Sequence, residues 1–133
     1  MSLKIFKNQD YDFTHENEQF RELTKILRER FDKTDEQNLL FANIYFGGVP
    51  IDALFVKRNA IIVLEFKNYT GYLTVAENGD WSLSDGTIIK GGAGKNPFMQ
   101  TRANKFSVLN ELNTWFPRPY VNLGQISGVV VFN

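Results

Sequence analysis

Ile51-Asp52-Ala53-Leu54-Phe55-Val56-Lys57-Arg58-Asn59-Ala60-Ile61-Ile62-Val63-Leu64-Glu65-Phe66-Lys67 holds two apolar runs around a short Lys-Arg-Asn turn. That pattern predicts a β-hairpin. Charged residues sit inside the runs, where packing alone would not put them. Side chains alternate faces along a strand. Glu65 and Lys67 are therefore expected on one face, with Leu64 and Phe66 on the other. Asp52, on the neighbouring strand, can reach the same spot. Two carboxylates and an ammonium on a half-buried hairpin cost free energy unless they are paired or bound to metal.

Carboxylate oxygens suit Mg²⁺, which keeps several waters and shares substrate phosphates. Asp52, Glu65 and the Phe66 backbone carbonyl form the expected metal set. Lys67 would orient the attacking water or offset charge at a scissile phosphate. The structural alternative is a buried acid–lysine pair that only fixes strand register.

Outward from the hairpin, a helix is expected over about 14–31, capped by Asp12 or Thr14. Phe20, Leu23, Ile26, Leu27 and Phe31 form its apolar stripe. Glu16 lies close to that stripe and Glu18 projects away, so Glu16 is the acid better aimed at Asp52 and Glu65. Its alternative role is a helix-start charge favoured by the macrodipole. Leu39 to Phe46 reads as a strand ended by Gly47-Gly48, followed by strands over 49–57 and 60–69. The Ile-Ile-Val-Leu run of the last suits a strand covered on both faces. Tyr72 to Val75 continues or pairs with it. Turns at 77–80 and 84–86 frame short strands at Trp81–Leu83 and Thr87–Lys90.

Gly91-Gly92-Ala93-Gly94-Lys95 reads as a flexible arm or a connector. It lacks the spacing and Ser/Thr of a Walker loop. Asn96 and Pro97 open a second helix that runs to about Trp115 before Pro117. Its expected buried face is Phe98, Phe106, Leu109 and Leu112. Gln100, in the first turns, can hold a water or a phosphate oxygen, or be a solvated amide. Lys95, Arg102 and Lys105 are candidates for contact with nucleic-acid phosphates. Trp115, Phe116 and Tyr120 are expected to pack rather than stack on bases. Ile126 to Phe132 is expected as a last buried strand.

In their order, Asp52, Ile62-Val63-Leu64-Glu65-Phe66-Lys67-Asn68, Gly71, Trp81 and Asn96-Pro97-Phe98-Met99-Gln100 resemble the PD-(D/E)xK, or restriction-endonuclease-like, nucleases. The resemblance is narrower to the nuclease-related domain (NERD) and runs from about residue 16 to the end. It implies an α/β fold with a mixed central β-sheet flanked by helices. It also implies a Mg²⁺- or Mn²⁺-dependent endo- or exonuclease acting on nucleic acid, DNA first. Asp52, Glu65, Lys67, Glu16 and Gln100 would be its catalytic set. The family often has Gly-Glu where this chain has His15-Glu16, so Glu18 stays open beside Glu16. Family members are often fused to helicase, kinase or zinc-ribbon modules, and nucleases of this fold often dimerise. Residues 1–133 are thus expected to form one domain, the N-terminal part of a longer protein. The alternatives are a non-catalytic nucleic-acid-binding module and an interaction domain with a structural acidic cluster.

Composition narrows these choices. Without cysteine, disulfides, zinc–thiolate sites and cysteine nucleophiles are excluded. The absence fits a cytoplasmic protein. With His15 the sole histidine, a multi-histidine metal site is impossible. No apolar run approaches the roughly 20 residues that cross a bilayer, so no membrane partner is expected. The formal net charge is zero, but residues 86–118 carry Lys90, Lys95, Arg102, Lys105 and Arg118 against Glu111 alone. Such asymmetry makes a basic face or simply a solvated helix.

Overall fold

The computed structural model describes residues 2–91, 95–115 and 125–132. Five strands form a mixed sheet in the order β1-β2-β3-β4-β8: β1 (Leu3–Lys7), β2 (Asn38–Phe46), β3 (Val49–Val56), β4 (Ile61–Lys67) and β8 (Ile126–Phe132). The outer pairs β1–β2 and β4–β8 are parallel, and the inner pairs are antiparallel. A separate antiparallel sheet holds β5 (Leu73–Thr74), β6 (Trp81–Leu83) and β7 (Ile88–Ile89). Helix α1 (Thr14–Phe31) lies on one face of the main sheet and α2 (Pro97–Trp115) on the other.

Local chemistry explains the two hairpins. Gly47 and Gly48 both have positive φ, 63° and 79°, as a primed two-residue turn requires. The β3–β4 turn closes with the Lys57 N–H donating to the Ala60 carbonyl at 2.8 Å. Beyond it, β4 runs through the centre of the fold. Leu64 and Phe66 join the core beneath α1, with Phe20, Leu27, Leu40, Ala53 and Phe55. Val63 joins the core beneath α2, with Ile51, Leu54, Val108 and Ile126.

The alternation breaks once. Ala42 belongs to the α1-side core, yet Ile44, two residues on, packs on the α2 side. Across the ladder, Ala53 and Ile51 change sides in the same way. The pivot is Asn43, at φ 51°, which stands opposite Asp52. A kink of this kind re-aims a side chain and locally ends pairing. Here it withdraws Asp52 from both cores.

Several expectations are corrected. Neither Asp12 nor Thr14 caps α1, whose N-cap is Phe13, without a side-chain bond. Asn17 secures the entry instead, bonding to both the N–H and the carbonyl of Tyr11. Ile26 is exposed. The buried residues of α2 are Pro97, Thr101, Asn104 and Val108; of the four expected, Leu109 and Leu112 do pack against that core, while Phe98 and Phe106 are each 39% exposed. The cause is close packing. A Cβ at Gly128 of β8 would stand 2.7 Å from the Thr101 Cβ, so helix and strand meet closely through Thr101. Strand β8 is an edge strand and exposes Val129, rather than being buried. Leu73–Thr74 pairs with β6, not with β4.

Strand β1 had no counterpart in the sequence reading. Its Leu3 and Ile5 face the core, but Phe6 points outward onto Phe41, and that blurs the period. Asn96 does cap α2, accepting the Met99 N–H at 2.7 Å. Trp115 meets Phe46 edge-on at 5.2 Å between centroids. Phe116, Tyr120, Arg118 and residues 92–94 lie outside the described residues. No described helix is long and apolar enough to cross a membrane.

Candidate active site

Asp52, Glu65 and Lys67 meet where the β3–β4 ladder stops. The last paired residues are Ala53 and Leu64. Two residues beyond Leu64, the Phe66 N–H donates not to a β3 carbonyl but to Asp52 Oδ2, at 2.8 Å. The Asp52 carboxylate thus replaces a backbone rung and holds the two strands at a fixed separation. The Lys67 ammonium lies 3.4 Å from Glu65 Oε1.

These residues line a cleft of about 330 Å³ with Phe13, His15, Glu16, Phe66, Asn68 and Tyr69. Of the two helix acids, Glu16 lines it, whereas Glu18 is exposed and lines a different hollow with Gln19 and Phe132. Gln100 does not line the cleft, but its side chain lies near enough to Glu65 from α2 to favour the charged carboxylate, while its own buried Oε1 has no hydrogen-bond partner among the described residues. Gly91 passes so close to Gln100 that a Cβ there would stand 2.8 Å from its side chain. Lys95, Arg102 and Lys105 lie outside the cleft lining, with Lys95 and Arg102 exposed.

The electrostatics are those of a site short of positive charge. Glu65 is only 6% exposed. Burial, and then the charge of Asp52, push its carboxyl from 4.5 up to about 7. Burial also raises Asp52, against the opposing pull of the Phe66 N–H and Lys67. Glu16 is raised by burial and by Asp52. Asp52 and Glu65 are within hydrogen-bonding reach of each other, as when two carboxyls share one proton. Three acids therefore face a single lysine ammonium in the cleft lining.

A divalent cation suits this donor set. No group of three or more His, Asp or Glu side chains among the described residues could enclose a metal alone. Two carboxylates with waters and substrate oxygens match the habit of Mg²⁺, and Mn²⁺ takes similar oxygen ligands.

Sequence reasoning overlooked the supports behind the site. The Tyr11 hydroxyl donates to the Asp52 backbone carbonyl, and its ring packs on Phe20 and Phe66. Gln19, 5% exposed, donates through Nε2 to the carbonyls of Lys67 at 3.0 Å and Val131 at 3.3 Å. It ties β4 to β8 just where Lys67 leaves the sheet. Asn43 donates to the carbonyls of Gln9 and Asp10, holding the segment before Tyr11 in place. The available signal was a polar residue beside Phe20 on the inward side of α1.

The sequence matches the family described as nuclease-related domain over residues 7–133. No curated protein and no solved structure matches it. The match spans nearly the whole chain, including both strands that carry the acids and both helices that cover them. The chain belongs to the nuclease-related domain family.

Proposed function

We propose that the protein is a Mg²⁺- or Mn²⁺-dependent nuclease that hydrolyses phosphodiester bonds of nucleic acid, DNA first. The observation that carries this reading is the convergence of Asp52, Glu65 and Lys67 at the break in the β3–β4 ladder. Asp52 and Glu65, with the Phe66 carbonyl, would hold the metal. When bound, such a cation supplies Lewis acidity to water and to phosphate oxygens. Lys67 orients the attacking water or offsets charge on the scissile phosphate. Glu16, across the cleft, accepts a proton or a hydrogen bond from that water. Gln100 steadies Glu65. Residues Lys95, Arg102 and Lys105 of the α2 side would meet flanking phosphates as the strand leaves the cleft. A homodimer, or a fused helicase, kinase or zinc-ribbon module, would supply a second cut or the choice of substrate.

The test is cleavage of labelled single- and double-stranded DNA and RNA with each metal, beside Glu65→Ala and Lys67→Ala. Loss of cleavage in both variants, with the fold retained, supports the assignment. Retained cleavage in both sinks it. The exposed positions of Lys95 and Arg102, outside the cleft lining, favour a second reading as a binding module without turnover. That reading expects salt-dependent binding, weakened by Arg102→Ala, and no cleavage with either metal.

A further inference from the structure

At the mouth of the acidic cleft stand two aromatic rings that no core uses. Phe13 is 61% exposed. Its ring lies nearly parallel to the His15 imidazole, 5.6 Å between centroids and 15° between planes. Both line the same cleft as Asp52, Glu65 and Lys67, and so does Tyr69. Phe13 also occupies the N-cap of α1, where Ser, Thr, Asp or Asn would stabilise the helix by about 1 kcal/mol. The residue there thus contributes neither a cap nor a buried side chain. What it presents is a flat apolar face beside the candidate catalytic carboxylates.

We infer that Phe13, backed by His15, is a stacking platform for an unpaired nucleobase next to the scissile phosphate. This rests on the nuclease reading and narrows its substrate to single strands, frayed ends or extruded bases. In a duplex interior both faces of each base are already covered by neighbours, so such a base must leave the stack before a ring can take it. Stacking on an aromatic ring is tolerant of sequence, because every base has a π-face. The platform therefore selects strand state, not sequence. The first turn of α1, uncapped by any side chain, lies beside it, and helix N-termini favour phosphate.

The experiment uses an oligonucleotide carrying 2-aminopurine, free or annealed to its complement, and a matched strand with one abasic position. Binding is read with Ca²⁺ in place of Mg²⁺ to suppress turnover. The wild-type chain should bind the single strand more tightly than the duplex and quench the probe. Phe13→Ala should lose about tenfold on the single strand and most of the quenching. Phe13→Trp should restore both. The abasic strand should lose its sensitivity to Phe13 when the gap falls at the platform. Unchanged thermal unfolding of Phe13→Ala would show an intact fold, as expected for an exposed residue. Single-strand binding that ignores Phe13, or a preference for the duplex, would overturn the platform while leaving the nuclease reading standing. No binding of any nucleic acid at low salt, with no cleavage under either metal, would overturn both.

Discussion

The Phe66 N–H donates to Oδ2 of Asp52, so a side-chain carboxylate on β3 holds a backbone position on β4. One residue thereby has two duties. Its carboxylate is at once a structural rung and a candidate metal ligand. The two duties separate by substitution. Asp52→Asn keeps an acceptor oxygen for Phe66 and should fold normally with weakened metal affinity. Asp52→Ala leaves the N–H unsatisfied and should cost about 1–3 kcal/mol. Urea unfolding of both variants, beside calorimetry with Mg²⁺, checks the split. Equal stability of the two would remove the structural duty.

Glu65 gives the site its pH dependence. Its folded carboxyl titrates near 7, against 4.5 unperturbed. Between those values the folded state holds a proton that the unfolded chain has released. Stability of the metal-free protein should therefore fall as pH rises from about 4.5 to about 7, and level off above. Glu65→Gln should flatten that slope. Metal binding must expel the same proton, so Mg²⁺ affinity should weaken by up to about tenfold for each unit below pH 7. Denaturation and calorimetry at pH 5, 6, 7 and 8 provide both readings.

How much of this was legible in the sequence follows from these residues. The β3–β4 hairpin, α1 and the Asn96 cap were readable, because strong periodicity and capping chemistry are local. So was the pairing of Glu65 with Lys67, since alternation fixes it. The break that aims Asp52 was not. It depends on Asn43 adopting a positive φ opposite Asp52, a relation between two strands that neither strand encodes alone. The inner face of α2 was misread for a similar reason. Its phenylalanines suggested burial, but the helix meets β8 through Thr101 against Gly128, a contact made with a residue far along the chain.

Gln19 should matter more than a helix amide normally would. Gln19→Leu leaves the Lys67 and Val131 carbonyls without their shared donor and should cost about 1–3 kcal/mol. Cleavage should drop further than stability, since the backbone beneath Lys67 is freed. Comparing turnover with unfolding midpoints, at a temperature where the variant is fully folded, distinguishes the two effects. Normal turnover in folded Gln19→Leu would confine the residue to a structural role.

Gly128→Ala should act on the site from a distance. The added methyl meets Thr101 and must lift α2 or shift β8, at a cost of about 1–3 kcal/mol. Gln100 adjoins Thr101, so its lowering effect on Glu65 should weaken and the Glu65 carboxyl should titrate higher still. NMR titration of the Glu65 carboxyl in both proteins measures this directly. An unchanged midpoint would uncouple helix placement from the site.

Asn96 joins two parts of the molecule that share no strand. Its Nδ2 donates to the carbonyls of Ala76, Glu77 and Gly79, while its Oδ1 accepts the Met99 N–H. The loop that leads into β6 and the first turn of α2 should therefore open together in hydrogen exchange, since fraying of either breaks bonds of the other. The small sheet has strands of only two or three residues. Its persistence is borrowed from the helix, and slackening at the start of α2 would be felt first as motion in a hairpin that the main sheet never touches through a ladder.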